Sequence, residues 1–454
     1  NMEFTAIVKA ISGALWDNIL LVLLCCTGIY FTLRLRFVQI VKFKDSFKKV
    51  FGGFRFKGKK AGKEGMSSFQ ALTTAIAAQI GTGNIAGAAT AVVSGGPGAI
   101  FWMWISAFFG MATIFSEATL AQKFKTTVHG EVTGGPVYYI KAAFKGRFGR
   151  VLAALFAVFI ILALGFMGNM VQSNSISEAF DIAFGMPSWI VGVFVALLAG
   201  FIFMGGIRRI ASVTEKLVPI MALLYIVGSL IVIGVNYQHI GQAFVSIFVG
   251  AFRPEAVLGG AAGISVKMAV RYGVSRGLFS NEAGMGSTPH AHALAKVDHP
   301  CDQGVVALMG VFLDTFVVLT LTALTFLTTG ALSSGETGSK LAQVAFSSVF
   351  GHFGDIFVAL CMFFFAFSTI VGWYFFGQTN IKYLFGAKAV KLYSAIVLIF
   401  IMVGSMLKVD LVWALSDLFN GLMVIPNLLA LLALSGLVSK LYKEYQQKKV
   451  IKSD

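Results

Sequence analysis

Charge is scarce in this chain. Only 12% of its 454 residues are Asp, Glu, Lys or Arg, against the ~25% ordinary for soluble globular proteins, while 57% are hydrophobic. A soluble domain of this length would expose far more charge, so that class is excluded. Cysteine is sparse as well. Cys25, Cys26, Cys301 and Cys361 have neither metal-ligand nor redox spacing, and the first two adjoin inside an apolar run, so they read as small core residues. The six histidines suggest no site, and His290 and His292 read as solvated loop residues. Long polar stretches are missing too. The basic segment 34–63 is too short to bury a core of its own, so no soluble domain is expected. No acid–base dyad, nucleophile triad or metal cluster stands out, which points away from an enzyme and from an organic cofactor.

What is abundant is apolar sequence. Runs of about 20 residues recur, long enough to cross a hydrocarbon core of ~30 Å. Fifty glycines suit helices that pack backbone to backbone. The expected fold is an all-α membrane protein with eleven crossings, near 14–33, 67–95, 98–122, 150–172, 187–205, 213–235, 255–292 (irregular), 303–330, 353–379, 388–405 and 410–438. The net charge of +16 does not suggest nucleic-acid binding, because the basic residues gather in a few loops between apolar runs.

Those loops set an orientation. The segment from Arg34 to Lys63 is the most basic stretch, and it comes after the first crossing instead of before it. A cleavable signal has the opposite arrangement, so that helix is expected to stay, with its N-terminus outside. The loops at 123–149, 206–212 and 380–391 and the tail with Lys440, Lys443, Lys448 and Lys449 then fall on the cytoplasmic side. The loop at 173–186, with Glu178 and Asp181, falls outside. The expected location is a cell membrane, with a multi-pass chain and a cytoplasmic C-terminus.

Two crossings carry interruptions. One runs Gln79-Ile80-Gly81-Thr82-Gly83-Asn84-Ile85-Ala86-Gly87, the other Gly277-Leu278-Phe279-Ser280-Asn281-Glu282-Ala283-Gly284-Met285-Gly286-Ser287. Broken backbone inside lipid is tolerated only where it lines a cavity or binds something. With the first helix set aside, the remaining ten crossings divide five and five, and each interrupted segment opens one half. Five being odd, the halves have inverted topology, which is the arrangement that marks a transporter site. The organisation expected is an extra helix and basic loop at 1–64, repeats at 65–238 and 239–439, and a basic tail at 440–454. Gly81–Ala86 also fits a loose dinucleotide fingerprint, but no strand precedes it and the next acidic residue is Glu117, so that reading fails. Free N–H groups at Gly81, Thr82 and Gly83 suit a carboxylate, and carbonyls before the break suit a cation or an ammonium. A zwitterionic amino acid satisfies both.

These segments, together with Gly95-Gly96-Pro97-Gly98-Ala99-Ile100-Phe101-Trp102-Met103-Trp104-Ile105-Ser106, resemble the alanine/glycine:cation symporter family over nearly the whole chain. The resemblance implies a five-plus-five inverted-repeat fold with discontinuous first and sixth core helices. It also implies import of alanine or glycine coupled to sodium, or alternatively to protons. Carried over, it places a sodium ion on the carbonyls of Ala77 and Ile80 and the hydroxyls of Ser368 and Thr369. Trp373, one turn beyond Thr369, would wall off the substrate side chain. Read from the residues alone, the two hydroxyls could instead bond back to their own helix.

Other positions stay open between two roles. Asn169, with Gln172 close by, could bind substrate or join two helices. Phe279 could line the pocket or simply pack. Ser280 and Asn281 lie at the second break, where Asn281 and Glu282 could hold substrate polar groups or cap the short helix after it. Gln79 and Asn84 complete the expected substrate set with Gly81, Thr82 and Gly83. Lys267, Arg271 and Arg276 fall within a crossing, where Asp314, Asp417, Glu117 or Glu282 could pair with them as gates or as static ion pairs. A third reading moves the break to Gly259–Gly263. A channel would need a continuous polar pore, whereas polar groups here gather at two breaks.

Overall fold

Apolar chain in lipid must satisfy its backbone polar groups internally, and helices do so within one segment. The computed structural model describes residues 2–52, 65–260, 263–407 and 410–453, so 53–63 of the basic segment 34–63 lies outside the described residues. Among the described residues, eight helices are long and apolar enough to cross a membrane: Met2–Arg34, Gly98–Lys123, Arg147–Phe184, Gly206–Val235, Pro300–Thr329, His352–Phe385, Ala387–Met406 and Asp410–Ala433. Ser188–Met204 is a shorter apolar helix. Two broken segments complete the bundle. The first is Ser68–Gln79 followed by Ala86–Gly95, and the second is Val266–Asn281 followed by an irregular stretch at 282–288 and the short helix Pro289–His292. The broken segments lie five crossings apart, as the inverted repeat requires.

Several expected boundaries move. The first crossing starts at Met2, not near 14. The loop expected at 173–186 is helical to Phe184, where Gly185 at φ +63° ends the helix; Asn174 and Glu178 line a large cavity. Two helices fall in stretches read as loops. Ile240–Phe252 is too short to span; it packs on Gly98–Lys123, where the Trp102 indole donates to the Ala251 carbonyl at 3.0 Å. Gly338–Phe350 packs against His352–Phe385. The irregular seventh crossing resolves into Pro254–Leu258 and Val266–Asn281, so the break begins at Glu282; residues 261–262 of the alternative break lie outside the described residues. A small antiparallel hairpin, Thr126–Val128 with Glu131–Thr133, departs from an all-helical chain. The basic tail is itself a helix, Ser435–Ser453.

Candidate functional site

The first break begins where Ser68–Gln79 ends. A capping box between Ser67 and Gln70 starts this helix, and at its other end Ile80 and Gly81 turn to extended backbone. The last carbonyls therefore lose helical partners, and hydroxyls from His352–Phe385 take their place. Thr369 Oγ1 donates to the carbonyls of Ala77 and Ile80 at 2.8 and 3.0 Å. Ser368 Oγ lies 3.1 and 3.4 Å from the same two oxygens and 2.8 Å from the Phe365 carbonyl of its own helix. The four residues expected around a cation thus form one buried cluster of oxygens. Gly81 is required by this approach: a Cβ there would lie 2.4 Å from Thr369 Oγ1 and 3.1 Å from Gln172 Oε1.

The N–H groups of the break are partly engaged. Gly81 donates to Asn84 Oδ1 and Thr82 to Gln172 Oε1, both at 3.1 Å. The N–H of Gly83 meets no acceptor among the described residues. Thr82 Oγ1 turns away, toward the Met362 sulfur.

The second break is built differently. Glu282 at φ +59°, Gly284 at +84° and Gly286 at +81° take the left-handed backbone that stops Val266–Asn281. The buried Glu117, from Gly98–Lys123, accepts the N–H of Gly284 at 2.5 Å and of Gly286 at 2.9 Å, and the Asn427 amide at 3.2 Å. Glu282 accepts the Trp373 indole N–H and the Ser287 hydroxyl, each at 2.7 Å. Asn281 Oδ1 accepts the Ala283 N–H at 3.0 Å, a local cap.

The two breaks meet. Gln79 Nε2 donates to the Asn281 carbonyl at 2.7 Å, and Ser280 Oγ lies 3.2 Å from Asn84 Oδ1. Asn84 Nδ2 and Ser280 Oγ both reach Asp314 Oδ1, at 2.9 and 3.0 Å. Gln79 Oε1 and Asn169 Oδ1 are buried with no hydrogen-bond partner. The Asn169 amide donates to the Gly165 carbonyl, within its own segment, and the Trp373 ring lies against neighbouring Gly168.

Over residues 1–454 the sequence matches the Sodium:alanine symporter family. The chain belongs to that family. It is 42% identical over 453 residues to "Sodium/alanine symporter AgcS" of Methanococcus maripaludis, covering 98% of each chain. It is also 42% identical over 445 residues to "Probable sodium/glutamine symporter GlnT" of Bacillus subtilis, covering 98% of this chain and 91% of the relative. Among solved structures, MhsT in complex with L-phenylalanine superposes with a TM-score of 0.59 over 84% of this chain and 98% of that one. At 13% identity it supports the fold alone.

In this symporter-family chain a cavity of about 720 Å³ opens onto the breaks from one end, reaching Ala86, Gly87 and Phe279. Its wall holds the charges that were puzzling in sequence. Arg271 pairs with Asp17 of the extra helix at 2.7 Å, and Arg276 with Asp417 at 3.8 Å while covering the Phe279 ring. Lys267 is exposed. Of the four carboxylates expected as partners, only Asp417 serves; Glu117, Glu282 and Asp314 bond within the breaks. Phe279 therefore faces the cavity, apart from the polar cluster of Gln79, Asn84, Ser280 and Asn281. The sequence does not point to Asp17 as a partner, offers Asp314 only as an ion-pair candidate, and gives Gln172 no role beyond its place beside Asn169. A lone carboxylate inside an apolar crossing was the available signal for Asp314.

Proposed function

We propose that the chain imports a small neutral amino acid, alanine or glycine, together with sodium by alternating access. The observation that carries this reading is the contact of Thr369 and Ser368 with the carbonyls of Ala77 and Ile80. Hydroxyl and carbonyl oxygens suit a hard cation. Sodium there replaces the hydroxyl–carbonyl hydrogen bonds and ties the first broken helix to His352–Phe385. The tie favours one state of the bundle, which is how a cation raises substrate affinity.

The substrate carboxylate is held by the Gly83 N–H, with those of Gly81 and Thr82 joining as Asn84 and Gln172 yield. Its ammonium is held by the unpartnered oxygens of Gln79 and Asn169. Trp373, fixed by Glu282, limits the side chain to a hydrogen or methyl. The relatives named for alanine and for glutamine are equally similar, so overall identity does not select the substrate; Trp373 supports the small one. Repeats at 65–238 and 239–439 rock about this centre. The basic loops support an outside N-terminus and a cytoplasmic C-terminus. One charge moved through 100 mV supplies ~2.3 kcal/mol.

The test is uptake of labelled alanine and glycine into proteoliposomes under an imposed sodium gradient, with a proton gradient as the comparison. Accumulation driven by sodium is expected. Accumulation driven only by protons, or equilibration without accumulation, contradicts the proposal.

A further inference from the structure

The helix Phe43–Phe51 presents an exposed face that mixes positive charge with aromatic rings. Lys44, Phe47, Lys48 and Phe51 recur at helical spacing and are all exposed, and the Phe47 and Phe51 rings lie 4.8 Å apart. The opposite face is anchored on the bundle. Ser46 is buried there, and the Phe43 ring meets Phe312 edge-on at 4.9 Å. Rings set between lysines on such a helix suit the membrane interface, with the rings toward acyl chains and the ammonium groups toward phosphates.

Beside this helix a groove of about 630 Å³ runs into the bundle, a size ordinary for a small-molecule site. Its walls include Leu72 and Ile76 of the first broken helix, Ala222 and Leu223 of Gly206–Val235, and Leu313 and Val317 of Pro300–Thr329. Gln70 and Thr74 hold Gly206–Val235 through Glu215 and Thr214, each at 3.0 Å, which leaves the Leu72–Ile76 face turned to the groove. Leu223 is 63% exposed, so one side opens toward lipid. Polar residues gather near the start of Ser68–Gln79 and Pro300–Thr329. Lys49 donates there to Asp302 at 2.9 Å, and Lys296 and Asp298 lie on the same rim. Lys44, Lys48 and Lys296 form no ion pair among the described residues, so positive charge is in surplus around this mouth.

We propose that an anionic phospholipid of the leaflet on this basic side binds here, with one acyl chain in the groove and its phosphate at Lys49 and Lys296. An apolar interior with a basic mouth complements an amphiphile with a negative head. A second copy of this chain fits less well, because a two-fold contact would set lysines against lysines. The acyl chain lies between Gly206–Val235 and the broken helix whose last turn carries Ala77 and Ile80. A bound lipid therefore favours the arrangement in which those two helices stand as they do here.

The test melts the purified full chain in neutral detergent with added dioleoyl-phosphatidylglycerol or dioleoyl-phosphatidylcholine, and counts retained lipid by native mass spectrometry. Phosphatidylglycerol is expected to raise the melting temperature and to stay bound at about one per chain, and phosphatidylcholine to do neither. Ala222→Trp, which fills the groove, is expected to abolish both effects. The double variant Lys48→Gln/Lys296→Gln changes only exposed side chains and is expected to weaken phosphatidylglycerol binding about tenfold. Equal stabilisation by the two lipids overturns the proposal, as does an undiminished lipid count in Ala222→Trp. If that variant does not fold, unchanged phosphatidylglycerol affinity in the double lysine variant overturns it alone. A dimer that Ala222→Trp disrupts, with no lipid retained, would place a second copy on this face and overturn it as well. Neither readout involves transport, so a failure of sodium-driven uptake is a separate result.

Discussion

The two breaks occupy corresponding places in the chain but are held by different chemistry. At the first, neutral amides and hydroxyls satisfy the exposed backbone: Asn84, Gln172, Ser368 and Thr369. At the second, the buried carboxylate Glu117 grips two N–H groups, and positive-φ residues fix the turn. Neutral hydrogen bonds contribute about 1 kcal/mol net, and bonds to a charged group roughly twice that. The first break can exchange its partners for a ligand at small cost, while the second acts as a fixed frame. One end of the site is made to be displaced and the other to hold still.

The largest effect should come from unlocking the frame. Glu117→Ala leaves two buried N–H groups unpaired, at about 1–3 kcal/mol each. A lower melting temperature in detergent and near-complete loss of uptake are expected; a stable, active variant would show that the second break holds itself. Thr369→Ala acts on the exchangeable side. It should raise the sodium concentration for half-maximal uptake about tenfold, equivalent to ~1.4 kcal/mol, while the melting temperature without sodium barely moves. Unchanged sodium affinity would remove Thr369 from the ion's ligands.

Trp373 links the two regions, since its helix carries Thr369 and its indole holds Glu282. Trp373→Ala should admit larger amino acids, measured as competition by valine and leucine against labelled alanine; an unaltered range would place the ring outside the pocket. The smallest effect lies away from both breaks. Lys449 and Asp45 pair at 2.7 Å between the tail helix and Phe43–Phe51, where the Lys449 hydrogen bond holds the Asp45 carboxyl below its ordinary pKa. Both are more than a third exposed, so Lys449→Ala should cost at most about 0.5 kcal/mol in a melting curve and leave sodium dependence intact.

Much of this arrangement is readable in sequence, for physical reasons. Glycine runs inside two apolar crossings announce the breaks, and their spacing announces the repeat. Ala77, Ile80, Ser368 and Thr369 come through family resemblance, because nothing in their spacing distinguishes an ion's ligand from a hydroxyl bonded to its own helix. Glu117 is unreadable as a lock: its partners, Gly284 and Gly286, lie 167 and 169 residues away, and they donate backbone groups that leave no trace in residue type. Arg271 looks misplaced in sequence only because its partner, Asp17, sits on the extra helix outside the repeat. Helices Ile240–Phe252 and Gly338–Phe350 are hidden because neither is long enough to read as a crossing.

If sodium at the first break raises affinity for a small amino acid, linkage makes this measurable without transport, because a coupling free energy between two sites acts equally in both directions. Alanine binding to the purified protein should therefore be titrated by calorimetry across a range of sodium concentrations, with choline replacing sodium. Alanine affinity is expected to rise at least tenfold with sodium, and Thr369→Ala to flatten the rise. Alanine affinity independent of sodium in the wild type would contradict coupling at this break.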